Sequence, residues 1–186
     1  VSEVWCIVGG SDGRDRYLAE ELIRTGNSVA ILKNDVSQLA MLVNTYGEAI
    51  LPIEIRDSGD EALVDALAHV EASYGHVDAI AVVVDWWPEG TDAQDPPDLS
   101  LTKRPAGFEH AAEVLAANLP GSRVVIVTGR MHASAEDRLT ARMLNTVLED
   151  RLRHAALSGA QAGRPIDVLH VADVSAQLGE IREHEH

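Results

Sequence analysis

The residues best placed to do chemistry in this chain form a small-residue turn, Val8-Gly9-Gly10-Ser11-Asp12-Gly13-Arg14-Asp15. An apolar run, Val4-Trp5-Cys6-Ile7-Val8, leads into it, and a segment with Leu18, Leu22 and Ile23 on one helical face leads out. Between a strand and a helix, such a turn lets backbone N–H groups approach a pyrophosphate, and the helix N-terminus favours negative charge. Gly9, Ser11, Asp12, Gly13 and Arg14 are the candidates for that cradle; the same glycines equally serve a tight turn that binds nothing. A second cluster is Asp85-Trp86-Trp87, where two indoles beside a carboxylate can stack a planar ligand or simply close a loop over the core. A third is His132, Asp137 and Arg138; a His and an Asp can act as an acid/base pair, and they are also ordinary surface residues. His184 and His186 read as a solvated tail, and no His, Cys and carboxylate set has metal-ligand spacing.

Regular elements must position these groups. Apolar runs at residues 3–8, 28–32, 49–55, 77–84, 123–127 and 166–171 predict strands, and helical patterns fall between them. Ser37 to Tyr46, Asp60 to Tyr74, Phe108 to Asn118 and Ala135 to Leu157 are predicted helices, the first and second closed by Gly47 and Gly75. The near absence of polar residues in Val77 to Val84 is what a strand covered by helices on both sides requires. The order predicts an α/β protein: a Rossmann-like, doubly wound parallel sheet of about six strands with helices on both faces. Residues 1–186 read as one domain of ordinary size. Residues 88–105, rich in proline and acid, read as a lid or poorly ordered loop, and residues 176–186 as a frayed tail.

Composition narrows the partners. There are 15 Lys and Arg against 30 Asp and Glu, a net charge of −15. A basic face for a nucleic-acid backbone is therefore not expected, nor is attraction to an anionic membrane. No apolar run approaches the ~20 residues that span a bilayer, and the opening residues read as a strand, not a signal peptide. The lone cysteine, Cys6, reads as inert packing and points to a reducing cytoplasm.

The glycine turn and the segments after it resemble the short-chain dehydrogenase/reductase family. That family opens with T-G-x-x-x-G-x-G; Gly9 and Gly13 match its first two glycines, Val8 stands at the threonine and Asp15 at the third glycine. The likeness continues through Leu18-Ala19-Glu20-Glu21-Leu22, Gly26-Asn27-Ser28-Val29, Ile53-Glu54-Ile55-Arg56-Asp57 and Tyr74-Gly75-His76-Val77-Asp78, covering roughly residues 4–85. The resemblance implies a nicotinamide cofactor, with Asp57 near the adenine and Lys33, after the second strand, favouring NADP over NAD. It also implies a homodimer through helix 135–157, whose Leu144, Leu148 and Leu152 form an apolar face beyond that of Leu139, Met143 and Val147.

The departures from the family concern its chemistry. Its N-N-A-G aligns with Val82-Val83-Val84-Asp85, and Thr128 is the hydroxyl left where its serine stands. Its Y-x-x-x-K aligns with Arg138-Leu139-Thr140-Ala141-Arg142. A guanidinium does not release its proton near neutral pH, so Arg138 cannot replace the tyrosine acid, while Arg142 can hold a ribose in the lysine's place. Asp15 puts a carboxylate near the expected phosphate, or caps the first helix, with Arg14 beside it to offset the charge. Three readings stay open. One is an atypical NAD(P)-dependent oxidoreductase using Thr128, His132, Arg138 and Arg142. Another is a non-catalytic binding or scaffold protein that keeps the fold to take a small-molecule ligand or to pair with an active partner, with NADP, NAD or no cofactor bound. The third is a cofactor-free isomerase or lyase using the same cleft.

Overall fold

The computed structural model describes residues 2–9, 13–55, 59–83, 107–119, 121–128 and 166–170, with residues 146, 149–150, 152–157, 159–160 and 163 besides. The elements in chain order are β1 (Val4–Gly9), α1 (Arg14–Arg24), β2 (Ser28–Lys33), α2 (Ala40–Tyr46), β3 (Ile50–Glu54), α3 (Asp60–Tyr74), β4 (Ala79–Val83), α4 (Gly107–Asn118), β5 (Arg123–Thr128) and β6 (Ile166–His170). The six strands form one sheet in the order β3-β2-β1-β4-β5-β6. Every neighbouring pair is parallel. The expected doubly wound α/β sheet is thus the observed one.

Strand alternation divides the core into two layers. Trp5, Ile7, Val29, Ile31, Ala81 and Val125 point to one face, where Leu18 and Leu22 of α1 and Leu42 of α2 cover them. Cys6, Ala30, Leu32, Ile80 and Val124 point to the other, under Leu63, Leu67 and Val70 of α3 and Leu115 of α4. Because both faces are covered, β1, β2, β4 and β5 carry no polar residue until their ends, whereas the edge strand β6 has an exposed Asp167 inside it.

Two local differences from the sequence pattern have visible causes. The segment Ser37–Tyr46 is a 3₁₀ turn, Ser37–Leu39, followed by α2. Asp35 Oδ1 accepts the Ser37 N–H at 2.9 Å, and the Leu39 N–H reaches back three residues to the Val36 carbonyl at 3.0 Å, so the entry is wound tighter than an α-helix. Leu152, expected at a dimer interface, is instead buried within the chain, packed with Ala155 on Ile126 of β5. It belongs to the stripe that covers this chain's own sheet. Leu144 and Leu148, the loop 88–105 and the tail 176–186 lie outside the described residues.

At the amino-terminal edge of the sheet, polar groups tie three strands together. Asp78, just before β4, accepts the Val4 N–H through Oδ2 at 2.8 Å, and its carbonyl accepts the Arg123 N–H at 2.9 Å. The Arg123 guanidinium lies 5.4 Å from the centre of the Trp5 ring and pairs with Glu3 at 3.3 Å.

Cys6 lies in the middle of β1 with no exposed surface, and burial pushes its thiol up to about 12. The thiolate is the reactive form, so alkylation of the native protein at neutral pH is expected to be far slower than in denaturant. Mass spectrometry of a maleimide time course checks this; rapid labelling of the folded chain would contradict the packing.

Candidate functional site

In an open parallel sheet, ligands bind outside the carboxyl ends of the strands, where the strand order reverses. Here that point is between β1 and β4: the chain leaves β1 for β2 on one side and returns to β4 on the other. The groups at this edge are Gly9, the first turn of α1, Lys33, Val83 and Thr128.

Gly9 ends β1 with φ +85°, opposite Val83 in the β1–β4 register. A Cβ on Gly9 would meet the Val83 carbonyl oxygen at 2.9 Å, so this glycine serves the close approach of two strand ends as well as the turn. Gly13 has φ +87° and stands at the N-cap of α1, with nothing among the described residues within 4 Å of where a Cβ would be. Its space is open, unlike that of Gly9. Arg14 opens the helix next to it.

Asp15 is not the cap of α1. The cap position belongs to Gly13, and no side chain caps the helix there. Asp15 has no exposed surface and lies on the same helical face as Leu18, Ala19 and Leu22, the face turned to the sheet. Its Oδ2 meets the Lys33 ammonium at 2.7 Å. Lys33 ends β2 on the face of Val29 and Ile31, and only 7% of it is exposed. The sequence suggests Arg14 as the counter-charge for Asp15; Lys33, eighteen residues away, supplies it instead. Lys33 is therefore neither a surface lysine nor, in this arrangement, a group turned out toward a 2′-phosphate. The second oxygen of Asp15, Oδ1, is buried with no hydrogen-bond partner among the described residues.

Thr128 ends β5 fully buried, in register with His170 of β6. Val82 and Val83 fill the end of β4 as buried core residues. The tyrosines, which number three in the sequence, are all in the described part. Tyr17 is exposed on α1. Tyr46 and Tyr74 end α2 and α3, at the opposite edge of the sheet from the crevice. The Tyr46 hydroxyl donates to Glu20 Oε1 at 3.3 Å and that of Tyr74 to the Glu48 carbonyl at 3.1 Å. Ser11, Asp12, Asp57, His132, Arg138 and Arg142 lie outside the described residues, as do Asp85, Trp86, Trp87 and Asp137. Among the described residues no three His, Cys, Asp or Glu side chains come together as a metal group, and no helix is long and apolar enough to cross a membrane.

The Asp15–Lys33 pair does not emerge from the sequence reading, although each half leaves a signal. Asp15 continues the buried stripe of α1 at the spacing of Leu18 and Leu22, and Lys33 continues the alternation of Val29 and Ile31.

No protein-family model matches the chain. It is similar in sequence to cis-2,3-dihydrobiphenyl-2,3-diol dehydrogenase from Paraburkholderia xenovorans (strain LB400), with 29% identity over 121 residues, 64% of this chain and 41% of that enzyme. The chain thus spans about two fifths of the length of this curated relative. Among solved structures it is similar to a short-chain dehydrogenase from Streptomyces avermitilis, at TM-score 0.56 and 22% identity, covering 91% of this chain and 64% of that one. It is also similar to a 3-ketoacyl-(acyl-carrier-protein) reductase from Brucella melitensis complexed with NADH, at TM-score 0.62 and 15% identity, covering 95% of this chain and 89% of that one. The resemblance to the short-chain dehydrogenase/reductase family read from residues 4–85 is borne out by these likenesses, and the fold is theirs.

Proposed function

We propose that this relative of the short-chain dehydrogenases/reductases works by binding a small-molecule ligand at the carboxyl edge of its sheet, and that it does not carry out the family's hydride transfer. The observation that carries this reading is the location of the tyrosines. The family's reaction needs a phenol at the crevice to give or take the proton of the carbonyl oxygen. Tyr46 and Tyr74 are engaged at the far edge, and Tyr17, in the first turn of α1, is exposed and off the helical face of Asp15, Leu18 and Leu22 that meets the sheet. The sequence segment that aligns with the family's tyrosine motif has Arg138 at that position, and an arginine holds its proton. The crevice itself keeps the frame of a binding site, with Gly13 open beside the first turn of α1.

The test separates binding from turnover. With NADH or NADPH and a panel of aldehydes and ketones, the purified protein is expected to give no carbonyl-dependent loss of reduced-nicotinamide absorbance between mildly acid and mildly alkaline pH. A small-molecule library screened by amide chemical shift should instead move the resonances of Gly9, Gly13 and Arg14. Reproducible turnover that disappears in an Arg138→Ala or Arg142→Ala variant would overturn the proposal and favour the atypical oxidoreductase.

A further inference from the structure

A nicotinamide dinucleotide, which the fold implies, would have to seat both its pyrophosphate and its adenosine ribose on this edge. For the pyrophosphate the backbone fits in part: Gly9 and Gly13 hold positive φ, and the space at Gly13 is clear. For the ribose the residues do not fit. In dinucleotide-binding sheets the side chain about 20 residues beyond the glycine turn, at the end of the second strand, reads the ribose. An acid there accepts from the hydroxyls of NAD, and a nearby basic group meets the 2′-phosphate of NADP. Lys33 holds that position, and its ammonium is turned inward onto Asp15.

We infer that Asp15 and Lys33 close the adenosine half of the cleft by serving as each other's ligand, so that neither NAD nor NADP is a resident cofactor of this chain. For Lys33 to meet a 2′-phosphate it must leave a carboxylate that has no exposed surface and whose Oδ1 already lacks a partner among the described residues. A buried carboxylate left without its cation is strongly disfavoured, and the incoming phosphate would add a like charge beside it. For NAD, no acid stands at the Lys33 position itself; Asp15 has no exposed surface, and Asp35, two residues further on, already accepts the Ser37 N–H through Oδ1. Asp15 also lies in the first turn of α1, where its charge offsets the positive end of the helix that would draw a pyrophosphate. The closure is independent of the missing tyrosine, since a chain without that acid can still hold a cofactor.

Calorimetric titration of the wild-type protein with NADH and with NADPH is the first arm, and it needs no variant. No saturation of either up to about 1 mM is expected. The second arm is the double variant Asp15→Gly/Lys33→Asp, which removes the pair and sets a glycine in the helix and an acid at the end of β2. If it melts cooperatively, it should bind NADH roughly ten-fold tighter or more than wild type does, and NADH in preference to NADPH. Micromolar binding of either cofactor by the wild type overturns the inference, and so does a folded double variant with no gain. Turnover enters neither arm, so failure here leaves the absence of hydride transfer to be judged on its own assay.

Discussion

Replacing Lys33 alone with methionine is expected to cost about 3–5 kcal/mol of folding stability, the range for leaving one charge of a buried pair uncompensated. Asp15 is wholly buried and Lys33 is 7% exposed, so water cannot take over the role of the missing partner. Removing both charges should behave differently. Asp15→Leu/Lys33→Met replaces the pair with apolar groups between α1 and β2, and such replacements are neutral or stabilising by roughly 1–4 kcal/mol. Urea unfolding of the wild type, both single variants and the double variant gives the coupling directly. Single variants that lose less than about 1 kcal/mol would mean that the pair is solvated in solution and worth no more than a surface salt bridge.

The two glycines of the turn should respond to alanine very unequally. At Gly13 an added methyl meets nothing among the described residues, and the loss is that of an L-residue held at positive φ, about 1–2 kcal/mol. At Gly9 the same strain applies, and the methyl also lands 2.9 Å from the Val83 carbonyl oxygen, a backbone atom fixed in the β4 ladder. Overpacking of that kind adds about 1–3 kcal/mol, so Gly9→Ala should lose roughly 2–5 kcal/mol in all. Thermal melts of the two variants side by side test this. Equal losses would place the strain in the turn alone and leave no role for the approach of β1 to β4.

How far each feature is legible in the sequence depends on how it is encoded. The strands are legible because a sheet covered on both faces demands uninterrupted apolar residues, as in Ala79–Val83. Helix α3 is legible to the residue, since Leu63, Leu67 and Val70 repeat on one face and Gly75 stops it with φ +86°. The pair Asp15–Lys33 is not legible as a pair. Each residue sits in phase with buried neighbours, but charged side chains in phase with a core are read as exceptions pointing outward. Only the packing of α1 against β2 brings the two within 2.7 Å. Leu152 misleads for the opposite reason: an apolar residue on a helix with two apolar faces does not say which face meets its own sheet, and Ile126 decides it.

The position of β1 has a consequence for synthesis on the ribosome. β1 lies in the interior of the sheet between β2 and β4, yet β4 begins only at Ala79. While the chain emerges, β1 to β3 can pair among themselves, but the other side of Val4–Gly9 stays an open edge until the residues of β4 have left the exit tunnel. That edge is a run of buried, uncharged residues with neither lysine nor proline to deter pairing with another nascent chain. The interval between the two strands, filled by α1 to α3, is thus a window in which a trailing polysome neighbour or a chaperone competes for the slot that β4 will take.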